Sequence, residues 1–276
     1  MRWQTGDRSN IEDLRGRRVM RGGTLGVGGI LLVAALSYFT GIDFSSVLND
    51  VSGPAQSEVA PGQLKTSPQE ERMVDFVDAV ARDTQDTWER LLGARYQRTQ
   101  VRLFTDVVES ACGMAESATG PFYCPGDQKV YLDIGFFAEL SQRFGASGEF
   151  ALAYVIAHEF GHHVQNLQGT NKRLAEDPRP GLNSASVALE LQADCYAGVW
   201  GHAAAQGRSK IQLDPGDAED GLRAAAAIGD DRLQKMATGR VAPERFTHGS
   251  SAQRMEWFRR GMETGDPARC NTFGRP

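Results

Sequence analysis

The sequence predicts a helix-rich α+β domain with a small β-sheet, preceded by one N-terminal transmembrane helix. Three observations carry that prediction. The first is an uncharged run of 21 residues, Gly22 to Ile42, directly after an arginine-rich start. The second is a series of long stretches with apolar residues at helical spacing, one of them apolar almost all round. The third is a pair of short alternating segments bounded by Gly and Pro, the pattern of strands and turns. At 276 residues, 41% hydrophobic and 24% charged, the chain has enough apolar mass for a full core. A net charge of −5 gives no basic signature, which argues against nucleic acid as a partner. No internal repeat is visible.

Residues 1–21 hold Arg2, Arg8, Arg15, Arg17, Arg18 and Arg21 against Asp7, Glu12 and Asp13. As a helix, residues 22–42 would span about 30 Å, the thickness of a hydrocarbon core. A cleaved signal peptide is the rival reading. Its apolar core is usually about 7–15 residues long and ends at a small-x-small site, and "SYFTGIDF" offers none. A buried core helix fits poorly with the length and with arginines on one side only. Arginine enrichment before the span puts residues 1–21 in the cytoplasm as a basic segment. Residues 22–42 are then a single-pass anchor in the cell membrane, and everything after Asp43 is periplasmic or extracellular. Residues 43–68, rich in Ser, Gly, Pro and Ala, read as a flexible linker. The folded domain is expected over residues 69–276.

Within that domain "QEERMVDFVDAVARDTQDTWERLL" places Met73, Phe76, Val77, Val80, Trp88 and Leu91 at helical spacing. Gln100–Val108 alternates enough to suggest a strand, and Lys129–Ile134 a second, after the turn signals Pro125 and Gly126. Phe136–Phe144 reads as a helix. The next helix has Ser147 available as a cap and Gly169 as a stop. Phe150, Tyr154, Val155, Ile156, Phe160, Val164 and Leu167 cover most of its circumference, which places it in the middle of a domain. Further helices are expected over about Asn183–Ala205, over "DPGDAEDGLRAAAAIGDDRLQKM" with Pro215 in its first turn, and over Ser250–Met262. There is no alternating βα pattern.

Four cysteines, Cys112, Cys124, Cys195 and Cys270, include no C-x-x-C pair, so they do not read as a metal site. An even count in an exported domain suggests disulfides. Cys112 with Cys124 would close a short turn-rich loop, and Cys195 with Cys270 would tie the C-terminal tail to a core helix. Four buried free thiols are the alternative, since spacing alone does not fix connectivity.

The central helix carries "AYVIAHEFGHHVQNLQG", with His158, Glu159 and His162 in the pattern H-E-x-x-H. Four residues turn an α-helix by about 400°, so positions 158 and 162 share one face, one turn apart. Two imidazoles there reach one metal ion. Glu159 is offset by about 100°; it can reach a water at the metal without binding the ion, and accept its proton. Core histidines bonded only to backbone are the plainer alternative, but burying all three groups unpaired is costly. H-E-x-x-H is the zinc-peptidase pattern, so one Zn2+ per chain is expected. His163 points away and is expected to lie behind the ligands or at the surface.

A catalytic zinc usually keeps three protein ligands and one open position. His202 and His248 are candidates for the third, but "ELQADCYAG" offers a better one. Glu190 and Asp194 stand at i, i+4 on a largely buried helix that contains no Lys or Arg to pair with them. Glu190 can complete the ligand set. Asp194 can accept the free ring N–H of a ligand histidine, most simply His158.

H-E-x-x-H followed by E-x-x-A-D on a second helix resembles the gluzincin metallopeptidases. "GPFYCPGDQKVYLD", "AYVIAHEFGHHVQ", "ELQADCYAGVW" and "THGSSAQR" together resemble, more closely, the neutral zinc metallopeptidases of bacteria, a membrane-anchored family. The resemblance covers residue 69 to the C-terminus and the arginine-then-apolar start. It implies a zincin-type α+β domain, zinc and peptide-bond hydrolysis, and it brings no particular substrate. Within it, His248 matches the downstream histidine motif of membrane-associated gluzincins, except that Gly249 stands where a proline commonly follows. His248 is therefore the candidate second donor to the oxyanion formed during attack. Tyr154 and Arg254 are weaker candidates, and His202 is expected to be structural. "KVYLD", Lys129–Asp133, is either the sheet edge on which an extended peptide pairs or an ordinary core strand.

The reading is a membrane-anchored zinc peptidase, an endopeptidase on a peptide or protein substrate. The alternatives are a non-hydrolytic peptide-binding or chaperone-like module with a structural zinc, and a zinc amidase acting on a non-peptide amide.

Overall fold

The computed structural model describes residues 1–16, 66–117, 120–137 and 148–273. The expected anchor at 22–42 and nearly all of the expected linker lie outside them. Among the described residues no helix is long and apolar enough to cross a membrane. Of the helix expected over Phe136–Phe144, Phe136 and Phe137 are described and are helical.

The first ordered helix, α1 (Pro68–Leu92), starts inside the expected linker. Ser67 accepts from the backbone N–H of Glu70 while the Glu70 side chain reaches back to the N–H of Ser67. With Pro68 in the first turn, every start signal falls together. The segment expected to be one strand over Gln100–Val108 is two, β2 (Val101–Phe104) and β3 (Val107–Ser110). Asp106 breaks it with a left-handed φ of 65°. β3 turns back on β4 (Gly113–Glu116) as a hairpin. β5 (Phe122–Cys124) and β6 (Lys129–Asp133) form a second antiparallel pair.

Residues 1–15, the larger part of the expected basic segment, are built into the described fold. Met1–Arg15 folds into the same compact unit as the residues from Thr66 onward. β1 (Ile11–Asp13) pairs in parallel with β2, Ile11 opposite Val101. The main sheet therefore runs β1-β2-β6-β5. β1, α1 and β2 make one βαβ connection, although no βα pattern was expected. Buried Asn10 holds the register. It donates to Asp78 at 3.1 Å, accepts from Gln85 at 2.9 Å, and its backbone carbonyl takes the N–H of Val101 at 2.8 Å. Trp3 meets Phe76 edge-on at 5.5 Å, and Arg8 binds Glu71 and Asp75. The arginines that read as a cytoplasmic charge cluster are thus partly spent on the acidic face of α1.

α2 (Glu149–Gln168) has Gly148 at its N-cap position, the expected cap Ser147 lying outside the described residues, and ends at Gly169 in the left-handed conformation, φ 73°. It packs against α1, α4 (Ala185–Ala205), α5 (Asp217–Ala227), β5 and β6. It is buried over most of its circumference, as its sequence requires. A Cβ on Gly161 would stand 3.0 Å from the Cα of Ala193, so that glycine lets α2 and α4 approach closely. A short helix α3 (Arg173–Glu176) lies between them in sequence. The expected single helix after Asp214 is broken into α5 and α6 (Asp230–Thr238). At the break Gly229 lies so close to Ser251 that a side chain would not fit. α7 (Ser251–Thr264), with a Ser250–Gln253 capping box, packs along α4. Phe150 stacks on Trp200 at 5.7 Å and touches Phe258, joining α2, α4 and α7 in one core. Disulfides join Cys112 to Cys124 and Cys195 to Cys270, the pairing expected.

Candidate metal centre

α2 and α4 cross where Gly161 meets Ala193, so their ionisable residues face one point. His158, His162 and Glu190 each direct one ligand atom there, all within 4.8 Å of one another. His158 Nε2 lies 3.1 Å from Glu190 Oε2, and His162 Nε2 lies 3.5 Å from Glu190 Oε1. Tetrahedral zinc with N and O ligands at about 2.0–2.1 Å holds them about 3.3 Å apart. The donor set and its spacing therefore fit zinc.

The other ring nitrogens are occupied. His158 Nδ1 donates to Asp194 at 2.8 Å, and His162 Nδ1 donates to Gln165 at 2.9 Å. Both rings are thus held with Nε2 toward the shared point. Gln165 is oriented in turn because its amide donates to Leu189 O at 2.7 Å and Gln192 at 3.1 Å. Asp194, fully buried, also accepts from Tyr154 at 2.5 Å and from Arg254 Nε and Nη2, each at 2.8 Å. Arg254 is itself 2% exposed, so this is an ion pair desolvated on both sides.

The electrostatics follow from these contacts. Burial opposes a charge on His158, but Asp194 and Glu190 outweigh it and raise its pKa to about 10. A metal ion binding at Nε2 must displace that proton, so affinity rises with pH. Burial would raise the pKa of Glu190, yet His162 and His158 draw it well below the usual carboxylate range. Burial would likewise raise Asp194, but Arg254 and His158 prevail and lower it. Glu159 is the exception: burial raises its pKa, and His162 and His158 offset that only in part. Its side chain lines the same 510 Å3 cavity as the three ligand atoms.

His248 lines that cavity too. Its Nδ1 is 3.3 Å from Asp230, whose other oxygen accepts the backbone N–H groups of Thr247, His248 and Gly249. The hydrogen bond to Asp230 raises the pKa of His248 against the effect of burial. Tyr154 and Arg254, the weaker oxyanion candidates, are both engaged with Asp194. His202 bonds the carbonyl of Met262 at 2.8 Å, a structural contact as expected. His163 is not at the surface: it is 1% exposed and bonds Gln97 O and Tyr123. Burial lowers its pKa. β6 is not an edge either. It lies between β2 and β5, so the core-strand alternative holds; among the described residues β5 is the edge strand beside the cavity.

Three roles were missed in the sequence. Gln165 stands at i+3 from His162, a helical spacing that could have revealed it. Asp230 and Arg254 lie in distant helices and give no local signal. Glu190→Ala is expected to weaken metal binding by at least about 100-fold. Metal analysis after dialysis measures this; an unchanged one-to-one content would remove Glu190 from the ligand set.

Two core helices that turn two imidazoles and one carboxylate toward a single point define an α+β protein with a site that could hold a metal ion. The chain belongs to the family described as "Putative neutral zinc metallopeptidase", whose model matches residues 1–273 and so includes the paired N-terminal arm. The uncharacterized protein YpfJ of Escherichia coli strain K12 is 40% identical over 100% of this chain and 99% of its own length. An uncharacterized protein of Mycobacterium tuberculosis strain H37Rv is 44% identical over 84% of this chain and 83% of its own. No solved structure matches.

Proposed function

We propose that this chain is a zinc-dependent endopeptidase. The observation that carries the reading is Glu159, a carboxylate kept in a buried position that raises its pKa while it faces the cavity of the three ligand atoms. A purely structural metal site has no use for that cost. Bound zinc supplies Lewis acidity at the scissile carbonyl and acidifies water. His158, His162 and Glu190 would hold it, and Asp194 and Gln165 fix the two rings. Glu159 takes the proton from the attacking water and returns it to the leaving amine. His248, steadied by Asp230, donates to the carbonyl oxygen as charge develops there. An extended substrate adds to the free edge of β5, where Gly120, Pro121 and Phe122 line the cavity. The test is a cleavage profile on a proteome-derived peptide library with the zinc-loaded chain, run beside Glu159→Gln. Absence of any zinc-dependent cleavage difference between the two would end the reading.

His248 sets the alkaline side of the pH profile. Its pKa is raised above the ordinary 6.5 by Asp230, with support from Glu190 and opposition from burial and Arg254. The protonated donor is lost as pH rises through that raised value. kcat is therefore expected to fall on an alkaline limb lying above pH 6.5. His248→Gln should lower kcat by about 100-fold and abolish the limb; a limb that persists in this variant would belong to another group.

The apolar run at 22–42 supports attachment to a membrane, and the two disulfides support an oxidising compartment outside the cytoplasm. The β1–β2 pairing supports a placement in which residues 1–15 share the compartment of the metal site. Cysteines introduced at exposed Ser9 and Arg179 should therefore react equally with an impermeant maleimide on intact cells. Labelling at position 9 only after permeabilisation would restore the single crossing.

A further inference from the structure

We propose that Tyr123, His163 and Asn166 form a latch that sets the distance between the substrate-pairing edge and the metal ligands. This inference rests on the peptidase reading above. β5 is three residues long, too short to be held rigid by its ladder to β6 alone. Its side chains alternate. Phe122 stacks on Tyr131 at 4.7 Å on one face, and Cys124 is bridged to Cys112. Tyr123 points the other way, toward α2.

There the tyrosine hydroxyl donates to His163 Nδ1 at 3.0 Å and accepts from Asn166 Nδ2 at 3.0 Å. The direction is fixed because His163 Nε2 is committed to Gln97 O at 2.6 Å. Asn166 is held by Asn171, which donates to its carbonyl oxygen at 2.8 Å. His163 follows His162 directly and Asn166 lies on the next turn. One helix therefore carries two of the three metal ligands, His158 and His162, and the attachment of the strand. A rail fastened to the ligand-bearing helix keeps its backbone donors and acceptors at a constant offset from the metal, whatever the rest of the sheet does. Tyr123, His163 and Asn166 act through β5 and are positioning residues; Glu159 and the ligands keep their own roles.

The test is Tyr123→Phe in the full zinc-loaded chain, assayed on an eight-residue peptide and on a blocked dipeptide too short to pair along β5. Loss of the two hydrogen bonds, each modest in its net contribution, is expected to loosen the edge by about tenfold. KM for the long peptide should rise about tenfold, while its kcat, the dipeptide kinetics and the zinc content stay within about twofold. A fall in kcat, equal changes on both substrates, or no change would overturn the latch. Hydrogen exchange of residues 120–126 gives a readout independent of catalysis, and should accelerate about tenfold in the variant with the 149–168 segment unchanged. Unchanged exchange there would also overturn it. If the wild-type chain cleaves neither substrate, the peptidase reading fails while the exchange result still judges the latch. Asn166→Leu, which removes one of the two bonds, replaces Tyr123→Phe should that variant not fold.

Discussion

Replacing Glu159 by Gln is expected to lower kcat by about 10²–10⁴-fold with zinc still bound one to one. The amide fills the same buried volume but cannot take a proton from water. The three ligand atoms lie on His158, His162 and Glu190, so the metal site itself is untouched. Burial already penalises the carboxylate of Glu159. The variant should therefore melt no lower than the parent, the usual relation between a strained functional group and stability. Steady-state kinetics, metal analysis and a thermal melt together decide the matter. Undiminished turnover would place the base elsewhere, and loss of zinc would make Glu159 a ligand. Glu190→Ala should give the opposite signature, loss of the metal first and of activity through it.

The second large effect is expected at Arg254, which is remote from the ligand atoms in sequence. Arg254→Met should destabilise the fold by about 3–5 kcal/mol, the usual result of removing one partner of a buried ion pair. Asp194 would keep a single formal counter-charge, His158, in a site closed to water. The carboxylate that orients the His158 ring would lose both guanidinium bonds, so zinc affinity should fall about 10–100-fold as well. Urea unfolding measures the first and a chelator competition the second. The double variant Asp194→Asn with Arg254→Met removes both charges and should be more stable than the sum of the two single changes predicts. Strict additivity would mean that the pair is not coupled.

These two residues mark the boundary of what could be read in advance. Glu159 was legible because an α-helix imposes its own geometry. His158 and His162 share a face by a local rule that no tertiary contact can alter, and the glutamate between them has one useful direction. Glu190 and Asp194 were legible by the same spacing on a helix that held no cation. The helix start at Ser250 was equally local, since its cap bonds within three residues; the start at Ser67 is just as local, but it was read as linker. Cysteine number suggested two bridges, and the fold supplied the same pairs.

Arg254 and Asp230 were not legible in their roles. Arg254 is 60 residues from the carboxylate it neutralises, and Asp230 is 18 from the histidine it steadies. Which side chain meets which across such gaps depends on how helices pack, and many residues of the same type would have served. The edge was left open for a related reason: "KVYLD" and "FYC" are both short strands, and only the partners on each side make the first interior, the core-strand alternative, and the second an edge. Residues 1–15 are the sharpest case. Arginines before an apolar run carry the charge pattern of a membrane flank, and the same arginines can pair with the acids of a helix. Composition is identical in the two outcomes. What the sequence does not carry is the register, Asn10 and Ile11 against Val101, and register exists only between strands that the tertiary fold has already brought together.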